Sequence, residues 1–163
     1  PSVKLQVSTR ADTKLSDMDM IVATSSGAGQ VLDIMQVKPG CVITDINLPS
    51  IFTKEGVAKR PDVLVIRGGD IRLPGENVEM RDIGLPPGVV YAGRAESITL
   101  ALEGRFEVFT VGASPQWDKV REIYRLGLKH GMRLAAISGV DGIYSEEEIA
   151  RVKALAMKEH SRA

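Results

Sequence analysis

Between Asp19 and Asp45 the chain spells out a strand, a tight loop, a short crossover and a second strand, an order that few folds accommodate. The first run, Asp19-Met-Ile-Val-Ala-Thr-Ser-Ser-Gly-Ala-Gly29, passes from apolar residues into hydroxyls and glycines. The second, Val37-Lys-Pro-Gly-Cys-Val-Ile-Thr-Asp45, opens with a Pro-Gly turn and ends on a carboxylate. Five runs read as strands: Lys4–Ser8, Met20–Thr24, Cys41–Asp45, Val63–Arg67 and Val89–Ala92. Most are continuous rather than alternating, the pattern of strands covered on both faces of a parallel sheet. The links between the early runs are too long for hairpins and suit crossovers. One such crossover, Gly29–Gln36, is short and apolar and is stopped by Pro39-Gly40.

The expected fold is therefore α/β, with a Rossmann-like, mostly parallel sheet. What precedes Asp19 does not supply the usual opening of such a fold. A dinucleotide-binding domain begins with a strand, a G-x-G-x-x-G turn and a helix whose N-terminus holds the pyrophosphate, and no G-x-G-x-x-G occurs in these 163 residues. Residues 1–113 thus read as the C-terminal half of a Rossmann-like NAD(P)-binding domain, and 114–163 as a helical extension packed on it. An initiator methionine before proline is commonly removed, so a start at Pro1 weighs little either way.

Asp70–Gly88 interrupts the pattern with Pro74, Pro86, Pro87 and several acidic residues. It reads as a loop with a β-ribbon, serving equally well as a flap over a site or as a subunit contact. Three helices follow. Ala95–Leu102 ends at Glu103-Gly104. Ser114-Pro115 offers an N-cap and first-turn pair for a helix running to His130, with Gly131 as its C′ residue. Trp117, Val120, Tyr124 and Leu128 fall on one face of that helix, with Trp117 expected in the core. Ser145-Glu-Glu-Glu148 is a capping box opening the last helix, whose Lys158 and His160 suit the negative end of its dipole.

Composition narrows the function classes. With 21 basic and 21 acidic residues the chain is formally neutral, so nothing draws it to nucleic acid or an anionic membrane surface. No apolar stretch approaches the ~20 residues that span a bilayer, and the first residues given do not read as a basic-then-apolar signal sequence. Cys41, the single cysteine, permits no internal disulfide, and at the start of an apolar run it reads as a buried thiol rather than a nucleophile. Two histidines, His130 and His160, do not make a zinc site. A metal-free cytoplasmic protein is the expectation.

Ligands of open parallel sheets bind at the carboxyl ends of the strands, and three such ends carry polar or glycine residues. In Thr24-Ser25-Ser26-Gly27, hydroxyls and a glycine can approach a ribose or a nicotinamide, or serve only to turn the chain and cap the next helix. In Asp45-Ile-Asn47-Leu-Pro49, Asp45 or Asn47 can hydrogen-bond a ligand, or form a polar turn set by Pro49. In Arg67-Gly68-Gly69-Asp70 the paired glycines permit close backbone approach. Their alignment along one edge in chain order makes Thr24, Ser25, Ser26, Gly27, Asp45, Asn47, Gly68 and Gly69 the candidate cofactor-binding set. No catalytic residue is assigned. Glu96 suits a helix start by the macrodipole alone, His130 suits a helix end, and no Ser/His/Asp or Cys/His set equips the chain for hydrolysis.

From Met20 to about Arg133 the chain resembles a bacterial family of predicted amino-acid dehydrogenases that includes long-chain acyl-[acyl-carrier-protein] reductases. The matching pieces are Asp19-Met-Ile-Val-Ala-Thr-Ser-Ser26, Lys38-Pro-Gly-Cys-Val-Ile-Thr-Asp45, Val65-Ile-Arg-Gly-Gly69, Ala95-Glu-Ser97 through Leu102-Glu-Gly104, and Lys129-His-Gly131. The first two occur in many Rossmann dehydrogenases, whereas the ordered combination of the others is more specific. The resemblance implies NADP or NAD as cofactor, Thr24–Ser26 and Asp45 facing it, and Gly68-Gly69 near the reacting carbon. The acyl reductases carry a nucleophilic cysteine a few residues after the glycine pair, where Pro74 stands here, so a thioester-forming mechanism lacks its thiolate.

Two functions follow as expectations. One is part of an NAD(P)-dependent oxidoreductase moving a hydride between nicotinamide and a carbonyl, imine or acyl carbon of a small-molecule or acyl substrate. That part would associate with the missing N-terminal half. The other is a non-catalytic half-Rossmann module that binds a ligand or partner and forms a homo-oligomer through its open sheet edge.

Overall fold

A computed structural model describes residues 3–10, 12–25, 32–76, 78–112 and 114–160. The chain forms two compact units, Pro1–Gly68 with Ala136–Ala163, and Gly69–Ala135. The stretch 114–163 contributes to both.

The first unit is built on three parallel strands, β1 (Met20–Ala23), β2 (Val42–Asp45) and β3 (Leu64–Arg67), side by side in chain order. Their register pairs Met20 with Val42 and Val42 with Leu64, and ends by pairing Ala23 with Asp45 and Asp45 with Arg67. Three of the expected strands are thus present, and their carboxyl ends lie level. The core beneath them gathers Leu15, Ala23, Leu32, Ile34, Val37, Cys41, Ile43, Phe52, Val63 and Val65. Ile43 and Val65 are register partners on one face of the sheet, and both are fully buried in this core.

The crossovers are slight. The described part of the first contains a 3₁₀ turn, Ile34–Gln36, capped by the Asp33 side chain on Met35 N, and residues 29–31 of the expected crossover lie outside the described residues. The second holds a short helix, α1 (Lys54–Ala58), capped by Thr53. Arg60 fastens the two crossovers to each other. Its buried guanidinium donates to the carbonyls of Ile34 at 2.5 Å and Val37 at 2.7 Å, and pairs with Asp62 through two bonds of 2.9 and 2.8 Å. The outer side of β3 is occupied by a two-stranded ribbon, β7 (Ser138–Gly139) and β8 (Gly142–Ile143), and the Tyr144 hydroxyl donates to Val65 O at 2.8 Å. The last helix, α4 (Glu146–His160), begins at the expected capping box. Ser145 Oγ accepts from Glu148 N, and Glu148 accepts from Ser145 N.

Lys4–Ser8 is not a strand. Val3, Leu5 and Val7 alternate as a strand should but stand 93%, 86% and 87% exposed. Alternation prepares a segment for a ladder, and a strand exists only where a second chain segment supplies the hydrogen bonds.

In the second unit the sheet is antiparallel. The strands β4 (Asp70–Arg72), β5 (Val89–Tyr91) and β6 (Arg133–Leu134) lie in the order β5-β4-β6. Val89–Ala92 therefore joins a separate antiparallel sheet rather than extending the parallel one, because Asp70–Arg72 turns back on it as a ribbon. Helix α2 (Ala92–Leu102) starts three residues earlier than the expected Ala95, so Glu96 sits in its second turn. Helix α3 (Trp117–Lys129) is preceded by Gln116 as N-cap, without a side-chain cap, instead of Ser114. It ends at His130 with Gly131 in the left-handed conformation (φ 81°), as its C′ role requires. The small core joins Val90, Ala95 and Met132.

Arg60→Ala strands two carbonyls and a carboxylate at once and is expected to cost about 2–4 kcal/mol in urea unfolding. Hydrogen bonds from Arg60 hold the Asp62 carboxyl below its ordinary 3.8. Its share of the stability is present above that value and fades as pH falls through the lower folded one. Acid titration of the unfolding free energy should show that low-pH loss in the wild type and not in the variant.

Candidate functional site

The candidate site lies at the carboxyl ends of β1, β2 and β3, where a buried carboxylate organises the turns. Asp45 ends β2 and is only 3% exposed. One of its oxygens accepts from Asn47 N at 3.0 Å and Asn47 Nδ2 at 2.6 Å. The other accepts from Ser50 Oγ at 2.6 Å and Ile51 N at 3.1 Å. Four donors to one carboxylate set the whole turn from Ile46 to Ile51, in which the Leu48-Pro49 peptide is cis. Asp45 thus spends its acceptors on its own loop and acts by placing Asn47.

Asn47 ties that loop to its neighbour. Its amide nitrogen also donates to Ala23 O at 3.2 Å, and its oxygen accepts from Ser25 Oγ at 3.3 Å. Ser25, Asn47, Asp45 and Ser50 form one hydrogen-bonded row, with Thr24 exposed beside it. Ser26 and Gly27 lie outside the described residues.

Gly68 follows β3, and its N–H donates to Asp45 O at 2.8 Å. A Cβ at this position would stand 2.4 Å from Ile46 Cγ2 and 2.9 Å from Thr44 Cγ2. Glycine is needed here because protein side chains already fill the space a ligand was expected to use. Gly69 opens the second unit with φ 82°, a conformation that favours glycine. The structure therefore brings Thr24, Ser25, Asp45, Asn47 and Gly68 to one edge of the first unit, and Gly69 serves the turn into β4.

Two residues of this edge escaped sequence reasoning. Ser50 gave no signal, because a contact five residues along a turn has no period. Arg67, at the end of β3, donates to Ser138 Oγ at 3.3 Å and puts a cation at the same edge. Beside β1, a groove of about 640 Å³ runs between Gln6, Ser8 and Arg10 on one side and Met20–Ser25 on the other.

The other chemically suggestive groups have local partners. Cys41 is fully buried, and burial pushes its thiol up to about 11. Glu96 accepts from Thr110 N at 3.2 Å and from the Thr110 hydroxyl. His130 meets Glu103, which also accepts from Lys129 at 2.7 Å, and the two hold that carboxyl below its usual range. Trp117 is on the surface rather than in the core, 74% exposed. Among the described residues no cluster of three or more His, Cys, Asp or Glu could hold a metal, and no helix is long and apolar enough to cross a membrane.

Fold and site define a mixed α/β protein with a small parallel sheet carrying a polar row at its carboxyl edge. No protein-family profile matches the chain. It is similar to the aminotransferase PigE of Serratia sp. (strain ATCC 39006), 31% identical over an alignment of 140 residues that covers 82% of this chain. The chain spans 16% of the length of that curated relative.

Asp45→Asn turns an amide nitrogen toward backbone donors on one side or the other, and it should cost about 1–3 kcal/mol in thermal or urea unfolding. Because the Cys41 thiol stays protonated and enclosed, a thiol reagent at pH 8 should modify folded protein about 100-fold more slowly than unfolded protein. Equal rates would place the thiol in solvent.

Proposed function

We propose that residues Met20–Gly68 form the second half of a Rossmann-like nucleotide-binding domain in an NAD(P)-dependent oxidoreductase. That enzyme would move a hydride between nicotinamide and a carbonyl, imine or acyl carbon. The observation that carries this reading is the set of three parallel strands in chain order whose carboxyl ends join Ser25, Asn47 and Gly68 in one row. In a doubly wound sheet of order 3-2-1-4-5-6, the last three strands follow one another outward in this way, and the ligand lies at their carboxyl ends. The two edges of the sheet also differ. β3 is flanked by the ribbon and Tyr144, whereas β1 has β2 as its one strand neighbour among the described residues. On this reading the β1 edge receives the strand that carries the pyrophosphate-binding glycine loop.

The nicotinamide supplies the hydride chemistry. This chain's part is to place Thr24, Ser25 and Asn47 as hydrogen-bonding groups at the ring side, with Asp45 keeping Asn47 in position. Similarity to an aminotransferase favours the carbonyl among the three substrate groups, since amines and carbonyls are what a transamination interconverts.

A non-catalytic module is the second reading, and it draws on the same exposed edge. A strand with one open edge beside a groove invites another strand, and a homo-oligomer joined at β1 would satisfy it. Val22→Lys should then dissociate that assembly without changing the melting temperature of the monomer.

Amide NMR of the chain titrated with NADPH and NADH tests the first reading. The expected result is weak binding with shifts confined to Thr24, Ser25, Asn47 and Gly68. Unmoved resonances at those positions, with dinucleotide in the millimolar range, would overturn it.

A further inference from the structure

Helix α3 carries a broad apolar side, and its own unit covers only one flank of it. Val120, Ile123, Leu126 and Gly127 are partly buried. The charges on that side are engaged locally: Glu122 accepts from Arg105 at 2.6 Å, Lys119 donates to Val108 O and lies over the Phe109 ring, and Lys129 pairs with Glu103. On the adjoining flank Trp117, Tyr124 and Leu128 stand in solvent, 74%, 66% and 52% exposed. Single exposed apolar residues are ordinary, but three in a line on one helix, one of them tryptophan, are not.

Together with Arg121 these residues are spaced four, three and four apart, the seam spacing of a two-helix coiled coil. The seam is self-complementary in one direction only. A parallel pair would set Arg121 against Arg121. An antiparallel pair, related by a two-fold axis between Arg121 and Tyr124, sets Trp117 over the partner's Leu128 and Arg121 over the partner's Tyr124, where a guanidinium is attracted to the ring face. Asp118 and Arg125 flank that seam on one side, so the same axis brings Asp118 beside the partner's Arg125, and the reverse pair follows by symmetry. Asp118 and Arg121 lie 3.8 Å apart within the helix, close enough for both to line the joint.

We propose that this chain forms a two-fold homodimer through antiparallel pairing of α3, with the Trp117, Arg121, Tyr124 and Leu128 seam flanked by reciprocal Asp118–Arg125 ion pairs. The seam is about two heptads long, so the dimer is weak and concentration-dependent. Its interface is separate from the β1 edge, and it does not depend on whether the parallel sheet binds a nucleotide.

The chain's single tryptophan reports on the interface directly. On raising the concentration of wild-type protein, Trp117 emission should shift to the blue as sedimentation shows dimer forming. The D118R and R125D variants change exposed residues, and circular dichroism confirms that they stay folded. Each places like charges in both flanking pairs and should dimerise at least about tenfold more weakly. Mixed together they should associate, because each chain then supplies the charge the other lacks, and the double variant D118R/R125D should recover wild-type association. A monomer with unshifted Trp117 emission at all concentrations would overturn the proposal. So would a dimer indifferent to these substitutions, an outcome that points to the β1 edge.

Discussion

The Asp45 carboxylate is the constraint on which the sheet's carboxyl edge depends. A polar group with so little exposure is tolerated only where donors replace the water it has lost, and here four donors come from one stretch of five residues. That requirement fixes the turn after β2. The turn in turn fixes Asn47, whose amide bridges to the ends of β1. Gly68 then closes against Ile46 and Thr44, because no side chain is present to keep it away. Three loops that look independent along the chain are one hydrogen-bonded unit.

This arrangement separates groups that build the edge from groups that can present themselves at it. Asp45, Ser50 and Gly68 are consumed in construction. Thr24 and Ser25 remain at the surface of the row, with Asn47 behind them, and these are the positions where a ligand's hydroxyls or amide would find partners. The dinucleotide reading rests on that division as much as on strand order. On its outer side β1 pairs with no strand among the described residues and borders a groove, and an open row of backbone groups is what a sheet offers where a next strand can join.

Much of the fold is legible in the chain itself. Met20–Ala23, Val42–Asp45 and Leu64–Arg67 are apolar runs bounded by turns, and that local signal suffices to locate strands destined for a buried sheet. The capping box at Ser145–Glu148 and the left-handed Gly131 were equally plain, since each depends on neighbours within a turn. Lys4–Ser8 and Trp117 were misread for a shared reason: periodicity says which side chains share a face, and is silent about what covers it. Strand Val89–Tyr91 is legible as a strand but its sheet is not, because direction of pairing depends on a partner elsewhere in the chain. Asp45 was recognised as a strand end, yet its four donors were invisible, because nothing in Ser50 or Ile51 marks them as a cage for a carboxylate.

The two ends of the second unit meet. Ala135 N donates to Asp70 O at 3.0 Å, so the segment Gly69–Ala135 leaves the first unit and re-enters it at a single closed gate. Bringing the ends of a flexible loop of that length together costs on the order of 3–4 kcal/mol of chain entropy. If the inserted unit folds first, that cost is met within it, and α4 is delivered to the parallel sheet as though it followed Gly68 directly. The first unit is then assembled from two distant pieces of chain that behave, once the insert has closed, like neighbours in sequence.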